Sequence, residues 1–83
     1  MHRYYFHAEN SQPFHDEEGT LLENDDAARI EAAKVMAQLI DERPWAVWRD
    51  DCFQVSVTDE WGALLFLLDL SAINAPAAHP MPR

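Results

Sequence analysis

The stretch Asp16-Glu17-Glu18-Gly19-Thr20-Leu21-Leu22 returns in outline as Asp59-Glu60-Trp61-Gly62-Ala63-Leu64-Leu65. Asp, Glu, Gly, Leu and Leu match in order. Asp at the first place and Gly at the fourth suit a type I turn followed by a left-handed residue, a common hairpin closure. Glycine reaches positive φ without a Cβ clash, and both of the chain's 2 glycines stand at these places. Two hairpins therefore frame the fold.

The segments around them complete it. Arg3 to Glu9 alternates, with Tyr4, Phe6 and Ala8 on one face and Arg3, Tyr5, His7 and Glu9 on the other. Aromatic content and period two make this a strand. Asn10 to Pro13 is polar and reads as a loop, and a short second strand ends near Thr20 to Leu22. Asn24 opens a helix by accepting from a free first-turn amide, with Asp25 and Asp26 at the positive end of the dipole. Ala28, Ala32, Val35, Met36 and Leu39 share one face of it, and Pro44 ends it near Glu42. Phe53, Val55 and Val57 alternate with Gln54, Ser56 and Thr58 as a third strand. Ala63 to Leu70 is a fourth, with Leu64, Phe66, Leu68 and Leu70 on one face and Ala63, Leu65 and Leu67 on the other. The expectation is an α+β fold, ββαββ, in which a four-stranded antiparallel sheet carries one helix on one face. Residues 1–70 form the domain, and the Ala- and Pro-rich residues 71–83 a mobile tail.

Size and composition narrow the classes. A chain of 83 residues holds one small domain, which excludes a doubly wound nucleotide-binding sheet or a barrel enzyme. The 1 cysteine, Cys52, excludes an internal disulfide framework and a CxxC zinc site. MHRYYFHAENSQ is too polar for a signal-peptide core, no lipidation motif appears, and no apolar run approaches the ~20 residues that span a bilayer. The expected location is the cytoplasm, with a reduced thiol and no membrane partner. Six Lys and Arg face 15 Asp and Glu, a net charge of −9. The basic residues are scattered, so no direct nucleic-acid partner is expected and a basic protein is the better match.

Arg3-Tyr4-Tyr5-Phe6-His7, Asp16-Glu17-Glu18-Gly19-Thr20, Asp26-Ala27-Ala28-Arg29 with Glu31-Ala32, and Val57-Thr58-Asp59-Glu60 with Gly62 together resemble a family of short, uncharacterised bacterial proteins, a domain of unknown function. The resemblance spans about residues 3 to 70 and transfers no catalytic residue. Glu42 to Asp51, with Trp45 and Trp48, and the tail depart from the family pattern. Tyr4 to Ala33 is also faintly similar to HicB-type antitoxins, which usually carry a DNA-binding segment after the domain; nothing after Leu70 forms one here.

Several constellations bear on chemistry. Asp16, Glu17, Glu18, Glu23, Asp25 and Asp26 form an acidic run without a base. Turn and capping roles account for Asp16, Asp25 and Asp26, and no Asp-x-Asp-x-Asp-Gly calcium loop is present. His7 and His15 approach each other if the first two strands pair, and with Asp16 they are the candidate transition-metal set, though their spacing is no ligand signature. Cys52 has only His7 as a strand partner, and Asp50 and Asp51 suppress its thiolate. No phosphate-cradling loop exists, so no cofactor is expected.

One helix leaves one sheet face open, with Tyr5, His7, Leu65 and Leu67 on it. Either the segment Trp45 to Trp48 folds over this face or a partner or second copy covers it, and a two-fold dimer through the face or an edge strand is the simplest assembly. The functional expectation is a small acidic, non-enzymatic module that recognises a protein. Its anchors are Tyr5, Trp45, Trp48 and Trp61, with Asp16, Glu17 and Glu18 on the rim. An antitoxin-like or RNA-associated regulator acting with a basic partner, and a small enzyme or metal-binding protein using His7, His15 and Asp16, are the alternatives.

Overall fold

The computed structural model describes residues 1–49 and 52–75. Strand β1 (His2–Glu9) leads to β2 (Thr20–Leu22), helix α1 (Asp25–Glu42), the single turn α2 (Ala46–Arg49), then β3 (Gln54–Thr58) and β4 (Leu64–Asp69). The strands form one antiparallel sheet in the order β2-β1-β3-β4. The α+β architecture ββαββ is therefore as the sequence reads. The tail from residue 76, and Asp50 and Asp51, lie outside the described residues.

The two central strands carry the core. Phe6 stands opposite Val57 and Ala8 opposite Val55, all on the face that receives α1. The helix answers with its small residues, Ala28 and Ala32, and then Met36. Alanine on this face lets the helix axis approach the sheet closely, so Val55 and Val57 are fully buried. Asn24 caps the helix as its side chain accepts from the Ala27 N–H at 2.9 Å. The Tyr4 hydroxyl donates to Asp25 Oδ1 at 2.7 Å, tying β1 to the same helix end. That bond, with burial and the Asp25 charge, pushes the phenol up to about 12.

Three features differ from the sequence reading. The Asp16–Gly19 turn does not close the first hairpin. Ala8 and Phe14 already pair across the loop between them, with Ala8 N–H on the Phe14 carbonyl at 2.9 Å and the reverse bond at 3.0 Å. Residues 15–19 are instead a bulge in the outer strand before Tyr4 meets Thr20. Leu64 does not join Phe66, Leu68 and Leu70 against the core. A register shift beside Thr58 brings Leu64 opposite that residue and leaves it exposed. Finally, residues 45–48 do not cover the open face. Ala46 is buried in the helix-side core with Val47 packed on it, and Trp45 and Trp48 are left exposed.

Candidate functional site

The site is built around the bulge. Even-numbered residues of β1 turn their N–H groups toward the outer strand. Tyr4 has Thr20 beside it and Ala8 has Phe14, but at Phe6 the bulged strand has moved away. Asp16 supplies the missing acceptor: its Oδ2 takes the Phe6 N–H at 3.1 Å. Its Oδ1 takes the N–H groups of Glu18 and Gly19, both at 3.1 Å. Burial pushes this carboxyl up, but the three backbone donors and the neighbouring His7 outweigh it and hold the group below its ordinary 3.8. Gly19 follows at φ 72°, where a Cβ would lie 2.9 Å from both Arg3 Cγ and the Tyr4 carbonyl oxygen. Glycine is needed here for conformation and for space.

The same bulge encloses His7. Alternation puts this ring on the face away from the helix, where the sequence suggests half exposure. It is instead buried, at 7% of its surface. The His15 ring stacks on it with centroids 4.3 Å apart and planes 17° from parallel. Asp16 N–H donates to His7 Nδ1 at 3.0 Å, and His7 Nε2 lies 3.0 Å from Thr58 Oγ1. A ring nitrogen that accepts an N–H carries no proton. The neutral tautomer therefore has its hydrogen on Nε2, donated to Thr58. Burial, and then the charge of His15, lower the His7 pKa, against the opposing pull of Asp16 and Glu9.

An open cleft of about 340 Å³ lies over this arrangement. Tyr5, His7 and Thr58 line it from the sheet, His15, Asp16 and Glu17 from the bulge, and Asp59, Glu60 and Gly62 from the β3–β4 turn. Asp59 repeats the turn chemistry of Asp16, its Oδ1 accepting from Trp61 and Ala63 N–H at 2.9 Å each. Because β1 and β3 are neighbours, the two Asp-Glu pairs face each other across Tyr5.

The structure thus unites Tyr5, Asp16 and Glu17. Glu18 does not line the cleft, and its carbonyl accepts from Arg3 at 2.8 Å. The tryptophans stand apart. Trp45 and Trp48 line a separate hollow with Arg49 and Asn74, and Trp61, 82% exposed, sits at the β3–β4 turn beside His2 and Leu65. His7 and His15 do come together, but stacked face to face, with both His7 nitrogens engaged. Among the described residues no group of three His, Cys, Asp or Glu side chains is arranged to hold a metal ion. Cys52 is exposed, and His7 directs neither nitrogen to it. Thr58, Asp59 and Glu60 escaped the sequence reading as site residues. The repeated Asp-Glu-x-Gly was the signal for Asp59 and Glu60, usable only once β1 and β3 are known to be adjacent.

The fold and cleft define a small α+β domain with an acidic open sheet face. Residues 3–71 match the family described as Domain of unknown function (DUF6894), and the chain belongs to that family. No curated protein and no solved structure matches it, and none of these matches carries the likeness to HicB-type antitoxins. No helix among the described residues is long and apolar enough to cross a membrane.

Proposed function

We propose that the chain is a non-enzymatic binding module that takes a basic protein partner on its open sheet face, seated in the cleft over Tyr5. One observation carries the reading. Carboxylates from both turns, Asp16 and Glu17 with Asp59 and Glu60, converge on one cleft that no Lys or Arg lines among the described residues. A partner's Lys or Arg would find opposite charge at the rim and an aromatic ring at the floor. The overall charge of −9 would steer such a partner from a distance.

The non-enzymatic half rests on how the polar groups are used. A general base needs a free lone pair within reach of a substrate proton. His7 has none and the Asp16 carboxylate already accepts three N–H groups, so neither member of this pair is a free base, and the exposed Glu17 and Glu60 are left to meet a partner's cations. Cys52, unpaired, fits a reducing cytoplasm. The test is capture by the tagged full chain from an extract of the cells that make it, at low and high salt. A stoichiometric basic protein that leaves at high salt is the expected result. Nucleic acid in the eluate, or a partner indifferent to salt, would overturn the reading.

A further inference from the structure

Trp45 and Trp48 stand on a fixed footing. Trp48 N–H donates to the Trp45 carbonyl at 3.2 Å, and Ala46 N–H to the Arg43 carbonyl at 3.0 Å, which closes the turn around α2. Ala46 is buried and Val47 packs on the core. That anchoring leaves the two tryptophans, three places apart and so neighbours across one turn, 70% and 55% exposed. Between them lies a hollow of about 340 Å³ that Arg49 and Asn74 complete. A second, of about 440 Å³, adjoins it through Trp45 and Arg49.

Asn74 determines which part of the chain lies nearest the rings. Leu70 N–H donates to the Phe53 carbonyl at 2.9 Å, holding the end of β4 beside the residue that leads into β3. From there the chain runs on until Asn74 forms part of the hollow's wall. Two places further the sequence becomes Pro76-Ala77-Ala78-His79-Pro80-Met81-Pro82. That composition favours a polyproline conformation, and each proline has its φ already fixed, so docking costs little freedom. A rise of about 3.1 Å per residue carries Pro76 about 6 Å and Pro82 about 25 Å beyond Asn74, enough to cross both hollows.

We infer that the Trp45–Trp48 hollow seats this chain's own residues 76–82 as an extended polyproline strap. Proline-rich segments dock on exposed aromatic grooves because flat indoles pack against the pyrrolidine rings. The polar atoms also match. Indole N–H and the Arg49 guanidinium are donors only, while a polyproline backbone has carbonyls without internal partners and its prolines have no N–H to leave unmatched. No Asp, Glu, Lys or Arg occurs in 76–82, so docking buries no unpaired charge of those types. The short tether holds the segment at an effective concentration on the order of millimolar, so a weak contact is enough to fill the hollow.

The test is nuclear magnetic resonance of the full chain, which carries 3 tryptophans. Pro76→Ser/Pro80→Ser/Pro82→Ser should move the indole N–H peaks of Trp45 and Trp48 and leave that of Trp61, which lies beside His2 and Leu65 at the β3–β4 turn. The substitutions fall outside the folded domain, and unchanged sheet resonances confirm that it is intact. Conversely, the Ala77, Ala78 and Met81 amides should have order parameters above ~0.6 in the wild type and below it in Trp45→Ala/Trp48→Ala. Indole peaks that ignore the proline substitutions, or tail order parameters that ignore the tryptophans, would overturn the inference. Shifts that fade on dilution would overturn it too, since the occupant would then be the tail of a second copy.

Discussion

At the scale of single residues, Asp16 holds the first hairpin together. Its carboxylate stands where the bulge would otherwise leave the Phe6 N–H without a partner. Asp16→Ala removes that acceptor and both turn bonds, and is expected to cost about 2–3 kcal/mol in urea unfolding. Asp16→Asn keeps one acceptor oxygen and should cost less. Gly19→Ala should be worse than Gly62→Ala. Both glycines have positive φ, at 72° and 83°, but only Gly19 has neighbours that a Cβ would strike. Gly62→Ala is expected at about 1–2 kcal/mol, the usual left-handed penalty, and Gly19→Ala above it.

His7 gives the pH dependence. Its folded pKa lies below the ordinary 6.5, so as pH falls the unfolded chain takes up the proton first. Stability should therefore decline from about pH 6.5 downward through the folded value. Asp16, also depressed, adds a second loss below 3.8. The charged groups around the ring are His15, Asp16 and Glu9. His7→Gln should flatten the upper part of this slope and leave the lower part, read as unfolding midpoints between about pH 2.5 and 8. The sequence suggested the approach of His7 to His15. It did not show the burial, because that depends on a bulge two residues deeper than a simple hairpin.

At the scale of elements, helix α1 was fully legible. Its cap, its alanine face and its stop at Pro44 are local signals, and local signals survive folding. The strands were legible as strands, yet their order was not. Pairing β1 with β3 brings together residues some fifty positions apart, and no local pattern encodes that choice. Leu64 was misplaced for a related reason: alternation cannot foresee a register shift. The turn α2 was missed since four residues are too few for a helical period, and Ala46 and Val47 are fixed by the core beneath them. The close seat of α1 can be tested through Ala32, which is 2% exposed. Ala32→Leu should push the helix off the sheet and cost about 1–3 kcal/mol, seen as a lower denaturant midpoint. Ala33→Leu, on the exposed side of the same helix, should cost little.

At the scale of the whole molecule, one sheet separates two surfaces of different character. The helix side is a closed apolar core. The other side gathers carboxylates from two turns that are forty-three positions apart in the chain and adjacent in space. Composition alone disclosed the acidity, and the repeat disclosed the turns; only strand order shows that they meet. The most direct measurement is capture of the basic partner by wild type and by Glu17→Gln/Glu60→Gln, side by side at low salt. Both carboxylates belong to exposed residues and neither is hydrogen-bonded among the described residues, so the double variant should keep a native circular dichroism spectrum. The account predicts that it loses the partner by at least tenfold, the effect of about 1.4 kcal/mol. Undiminished capture by a folded double variant would contradict the claim that this cleft is where the partner binds.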